Sequence, residues 1–161
     1  MSTLAQPAFP DDDGAADPRL AAALHALAQS PDLVGVLGAL SDARVLVPVV
    51  AVLGESESGT DKEADMATVM LTGADGRRAL LAFSSLETLG RWRPDARPVP
   101  VRARDAARAA IDEGATALIV DLAGPVRAVV ETDDLRHLAT GDVLVDVAGR
   151  WAWAAPGEAP A

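Results

Sequence analysis

An apolar run, Leu80-Leu81-Ala82-Phe83, passes without a spacer into Ser84-Ser85-Leu86-Glu87, and this junction constrains the chain more than any other stretch. Ser84 and Glu87 stand in the S-x-x-E relation of a capping box, in which each side chain satisfies a backbone donor at the other's position. A strand should therefore end and a helix begin within two residues. The helix is expected to start at Ser85 and to stop before Pro94, because the residue ahead of a proline is pushed out of helical geometry. The stretch also carries Phe83 and Trp92 in a chain that has only two Phe, three Trp and no Tyr. A core with so few large anchors is built from small and branched aliphatics, so Phe83, Ser84 and Glu87 are read as structural residues.

The rest of the chain supplies partners for this junction. Asp17-Pro18 has the form of an N-cap followed by proline at the first helical position, with Leu20, Ala23, Leu24 and Leu27 at helical spacing over 18–29. Ser30-Pro31 repeats the signal ahead of Leu33, Val34, Leu37 and Leu40, which predicts an N-terminal helical hairpin lying on a sheet. Residues 45–53 are continuously apolar, as in a strand covered on both faces. Pro48 interrupts that run; lacking a ladder donor, it is expected at an edge or bulge, or as a divider of the strand. Residues 54–65 read as a polar loop. Segments 66–72 and 78–83 flank Asp75-Gly76, a strong hairpin signal in which Gly76 takes the turn conformation. Further on come a short extended piece at 98–101, a helix over 105–113 stopped by Gly114, and strands over 117–120 and 126–130. A last helix over 132–138 and an edge strand over 143–147 follow, with Trp151 and Trp153 projecting to one side if that strand continues.

The expected fold class is therefore α/β (α+β): a mixed sheet with an antiparallel hairpin and packed helices. Residues 1–16, with Asp11-Asp12-Asp13, read as a disordered acidic tail, 17–147 as one domain and 148–161 as a partly flexible extension.

Composition removes several function classes. A formal charge of −10 repels a phosphate backbone, which disfavours nucleic-acid binding. No apolar run approaches the roughly 20 residues of a membrane span, and the N-terminus lacks signal-peptide character, so a cytoplasmic location is expected and no membrane contact. Without cysteine there is neither a disulfide framework nor a thiolate ligand. His25 and His137 stand alone, without a neighbouring second ligand type. No metal site, cofactor or catalytic residue is assigned, since no G-x-S-x-G, H-E-x-x-H, Walker or dinucleotide-binding pattern occurs. Ser84 and Ser85 lack a positioned base, and carboxylates such as Glu131, Asp121 and Asp133-Asp134 are explained by turns and helix ends. The segment that remains is Arg91-Trp92-Arg93-Pro94-Asp95-Ala96-Arg97. Arg91, Arg93 and Arg97 around Trp92 form a candidate site for a carboxylate, phosphate or acidic partner segment, through bidentate guanidinium contacts.

Several dispersed blocks occur in a characteristic order: Val45-Leu46-Val47-Pro48, Asp65-Met66-Ala67, Gly76-Arg77-Arg78-Ala79-Leu80, Phe83-Ser84-Ser85-Leu86, Trp92 to Val101 and Asp121-Leu122-Ala123-Gly124-Pro125. Over residues 18–140 this order resembles the N-terminal domain of the SseB-like family, in its actinobacterial stand-alone branch. The resemblance implies a compact α/β domain and carries no established catalytic residues. Members of that branch often sit near translation genes, which implies at most a translation-linked role.

The expected function is a non-enzymatic interaction or regulatory module acting on an unidentified protein partner. The Arg-Trp segment and the sheet edge near Pro48 are its candidate contact surfaces, and a homo-oligomer through a sheet edge is a further possibility. The competing reading is a binding protein for an amino-acid-like or anionic small molecule, or an uncharacterised enzyme, with its pocket between the Phe83–Trp92 helix and the strand ends. A translation-linked factor is the third.

Overall fold

The computed structural model describes residues 8–52 and 65–157; the loop expected after residue 53 lies, apart from Asp65, outside the described residues. Within them are five helices, α1 (Pro18–Gln29), α2 (Val34–Leu40), α3 (Leu86–Trp92), α4 (Ala103–Asp112) and α5 (Thr132–Thr140). The strands are β1 (Arg44–Val52), β2 (Asp65–Thr68), β3 (Met70–Thr72), β4 (Arg78–Ala82), β5 (Arg97–Arg102), β6 (Ala117–Val120), β7 (Ala128–Glu131), β8 (Val143–Val147) and β9 (Arg150–Ala154). They form an antiparallel sheet β2-β1-β5, a mixed sheet β3-β4-β6-β7 and a separate hairpin β8-β9. Only β4 and β6 run parallel. The α+β class expected from the sequence is the class observed.

Side-chain alternation along the strands divides the interior in two. Val45 and Val47 of β1, with Leu80 and Ala82 of β4, join the large core under α1, α2, α4 and α5. Leu46, Leu81 and Phe83 point to the opposite face, where with Leu89 and Ala96 they form a smaller cluster beneath α3. Both runs are continuously apolar because both faces are covered. The two sheets meet where Leu46 and Phe83 exchange backbone hydrogen bonds of 2.7 and 2.8 Å.

Pro48 does not occupy a sheet edge or a bulge. It lies in the middle of β1, the central strand, opposite Pro98 of β5. Leu46 turns its backbone groups toward Phe83, so alternation turns the Pro48 nitrogen to that same side, ahead of the first β2 partner at Val49. Its missing donor therefore costs no ladder bond. Pro98 and Pro100, opposite Pro48 and Leu46, turn their nitrogens to the outer edge of β5, where they remove donors that another strand would need.

Three further expectations are revised. Residues 66–72 are not one hairpin strand: β2 pairs with β1, β3 pairs with β4, and Val69 is the step between the two sheets. The second helix begins at Val34 rather than after Ser30, with Asp32 Oδ1 accepting the Val34 N–H at 3.0 Å. The strand over 143–147 joins neither large sheet; it pairs with β9 across Ala148-Gly149, both at positive φ (54° and 78°), the two-residue turn whose twist suits a tight hairpin. Gly76, at φ 83°, sits in the β3–β4 turn as its Asp-Gly pair predicts.

Candidate functional site

At the carboxyl ends of the parallel strands β4 and β6, where open α/β sheets commonly bind ligands, lies a polar junction built around α3. The capping box is there, one residue later than expected. Ser85, not Ser84, is the N-cap, its Oγ accepting the Thr88 N–H at 3.2 Å while Thr88 Oγ1 accepts the Ser85 N–H at 3.3 Å. Glu87 instead accepts from Arg91 Nη2 at 2.8 Å, an exposed i,i+4 pair.

Ser84 is released from capping by a long-range partner. Its N–H and Oγ donate to the two oxygens of Asp121 at 2.8 and 2.6 Å, and Thr88 Oγ1 donates to Asp121 Oδ1 at 2.7 Å. Asp121 is 3% exposed and has a φ of 56°, a left-handed conformation that Asp and Asn tolerate better than most residues. A buried carboxylate holding three donors is well satisfied, and it ties the end of β6 to the first turn of α3.

Arg44 completes the junction from the other side. Nη1 donates to the Ser84 carbonyl at 3.0 Å, Nη2 to the Ala15 carbonyl, and Nε meets Asp12 Oδ2 at 2.5 Å with both side chains largely buried. The Leu86 N–H donates to the Gly14 carbonyl at 2.9 Å. Gly14 is buried at φ 77°, and a Cβ there would fall 2.2 Å from Leu86 Cδ1, so this contact needs glycine. Residues 8–16, read from sequence as tail, thus lie against the domain, because Asp12 supplies the counter-charge that the largely buried Arg44 side chain requires. A carboxylate at the exit of a buried strand was visible in the sequence; nothing local announced its tie to Ser84, or the role of Arg44.

The four residues expected to bind an anion are placed as follows. Trp92 stacks on fully buried Phe83 with ring centroids 5.5 Å apart. The Arg93 guanidinium lies over the Trp92 ring at 5.1 Å, with Asp95 at 4.0 Å. Arg91 is held by Glu87, and Arg97 opens β5, exposed and opposite Val49. Arg91 and Arg93 thus already meet nearby carboxylates, and Phe83 and Trp92 stack on each other.

The hairpin at the other end of the molecule is less closed. Leu144, Trp151 and Trp153 share one face of β8–β9. Trp153 is the inner anchor: its Nε1 donates to Asp134 Oδ1 at 3.0 Å and its ring stacks on His137 at 5.2 Å, while His137 Nδ1 meets Asp142 Oδ2 at 2.7 Å. Trp151, one step outward, is 55% exposed. It overhangs a groove of about 670 Å³ between the hairpin and α1–α2, bordered by Arg19, Asp32 and Asp42 and floored by Gly35 and Gly38. Among the described residues no atom lies within 4 Å of where a Cβ would stand on either glycine, so the floor is open.

Among the described residues, no helix is long and apolar enough to cross a membrane. Comparison with curated proteins and with solved structures gives no match. A model of the SseB protein N-terminal domain matches residues 20–137, from the first turn of α1 to α5 and including Arg44, Ser84, Thr88 and Asp121. The β8–β9 hairpin lies beyond that match. The order of blocks around this junction and the match over more than half of the chain agree: the chain belongs to the SseB N-terminal domain family.

Proposed function

We propose that this domain is a non-enzymatic interaction module of the cytoplasm that takes a short basic segment of a protein partner, with one apolar anchor, into the groove beneath Trp151. The observation that carries this reading is a tryptophan 55% exposed above an apolar groove with carboxylates at its rim. Tryptophan supplies a large contact area from a side chain with few torsions, and such residues dominate binding energies. The rim suits a cation. Among the described residues Asp32 is committed only to the Val34 N–H, and the Asp42–Arg19 contact is 3.8 Å between side chains 82% and 71% exposed, a pair of little net worth. The overall charge of −10 steers basic partners toward the protein.

A catalytic reading has less behind it. The hydroxyls of Ser84 and Thr88 are bound to Asp121, and the described histidines lie on α1 and α5 rather than beside them.

Selection from a displayed peptide library tests the proposal. The protein should enrich peptides carrying Lys or Arg beside an apolar anchor, Trp151→Ala should weaken them at least tenfold, and Asp32→Asn/Asp42→Asn should weaken them and flatten their salt dependence. Enrichment of acidic peptides that depend on Arg91, Arg93 and Arg97 instead, or no enrichment, would overturn it.

A further inference from the structure

We infer that a second cavity, of about 360 Å³ at the start of α4, is a binding site for a small molecule that carries one oxyanion group, phosphate or carboxylate, and an N–H or O–H donor. Its lining is Phe9, Ser41, Asp42, Arg102 and Arg104. The two arginines flank Ala103, the first residue of α4, and neither enters an ion pair among the described residues.

The charge arrangement around Arg102 is unusual. Arg102 stands directly opposite Arg44 in the β1–β5 ladder, and like charges so placed repel. Arg44 is answered internally, by Asp12 and by the carbonyls of Ser84 and Ala15. Among the described residues Arg102 has no such answer, and Arg104 adds a second arginine on the same cavity. Two arginines lining one cavity can supply the paired N–H donors that suit the planar, bidentate geometry of a carboxylate or phosphate. No side chain caps α4, and of its first donors the Ala103 N–H is taken by the Ala43 carbonyl at 3.0 Å.

The remaining walls define the rest of the ligand. Ser41 Oγ donates to the Leu37 carbonyl at 3.3 Å, so toward the cavity it offers lone pairs. Asp42 is the one carboxylate in the lining and also accepts. A ligand that places its oxyanion between the arginines therefore needs a donor group at the Ser41–Asp42 end. Phe9 closes the side with an apolar ring, on a segment pinned by the Asp12–Arg44 pair. The Arg44 latch thereby holds one wall of the site in place while occupying the neighbouring charge.

The test is titration of the full chain with inorganic phosphate, and separately with acetate, at constant ionic strength, followed by the backbone amides of Ser41, Arg104 and Asp105 and by the arginine Nε–H signals. Saturable shifts confined to this cluster are expected with at least one of the two anions, and which one saturates identifies the group recognised. Arg102→Gln/Arg104→Gln should weaken binding at least tenfold, whereas Arg91→Gln/Arg93→Gln should leave it unchanged. Arg102→Lys, which keeps the charge but loses the fork, should lie between them and covers the case in which the double variant does not fold. Failure of both anions to saturate, or equal binding by the Arg102 and Arg104 variants, overturns the assignment.

Discussion

Trp92 is the last residue of α3 and Trp151 the second of β9, and each directly follows an arginine in the sequence. Trp92 is closed in: Phe83 stacks beneath it, Arg93 lies over it, and α3 is held by its cap and by Asp121. Trp151 stands on a two-stranded hairpin whose inner residue, Trp153, makes the attachments, so the outer ring remains in solvent above an open groove. The prominence of a tryptophan in the sequence says nothing of which role it takes. What separates the two is whether the element behind the ring has another layer to pack against, since a large sheet lies under α3 whereas Trp151, at the start of β9, borders the open groove beside α1–α2.

The contrast can be broken most severely at the closed end. Asp121→Ala removes the acceptor of three donors in a buried site, each costing about 1–3 kcal/mol when orphaned. Urea unfolding should show a loss of about 3 kcal/mol or more, and Asp121→Asn, which tolerates the left-handed backbone and keeps one oxygen, should lose less. The two tryptophans give the direct comparison. Trp92→Ala should cost about 2–3 kcal/mol, below the value for a fully buried aromatic because the residue is only partly buried. Trp151→Ala should change stability by no more than about 0.5 kcal/mol, since it removes no buried contact of this chain, and should be felt only in binding. An equal loss at both positions would show that Trp151 is part of the core. The smallest effects sharpen the cap: Ser85→Ala should cost about 1 kcal/mol and Glu87→Gln only a few tenths, the reverse of what a Ser84–Glu87 box requires.

That last pair shows where sequence reading stopped. The capping pattern correctly located the start of α3, because a strand ending in Phe83 and a hydroxyl residue before a helical stripe are local signals. It could not choose between Ser84 and Ser85, because the choice depends on Asp121, 37 residues away in sequence from Ser84. The candidate binding segment suffered likewise. Three arginines around a tryptophan are conspicuous, but Glu87, one helical turn before the segment, and Asp95, within it, meet two of them once it folds. Arg102 and Arg104 carry no local signal in V-R-A-R-D; what distinguishes them is Arg44, which stands opposite Arg102 and is already paired with Asp12.

From the sequence alone followed the α+β class, the order of most elements, the β3–β4 turn at Gly76 and the family, because periodicity, caps and glycine turns are properties of contiguous residues. The tertiary structure decided which strands meet. It put Pro48 in a central strand where no rung is lost, divided residues 65–72 between two sheets, set the last hairpin apart, and brought Asp121 to Ser84 and Asp12 to Arg44. Those outcomes depend on distant partners competing for the same backbone groups and charges, and local sequence carries no record of the winner.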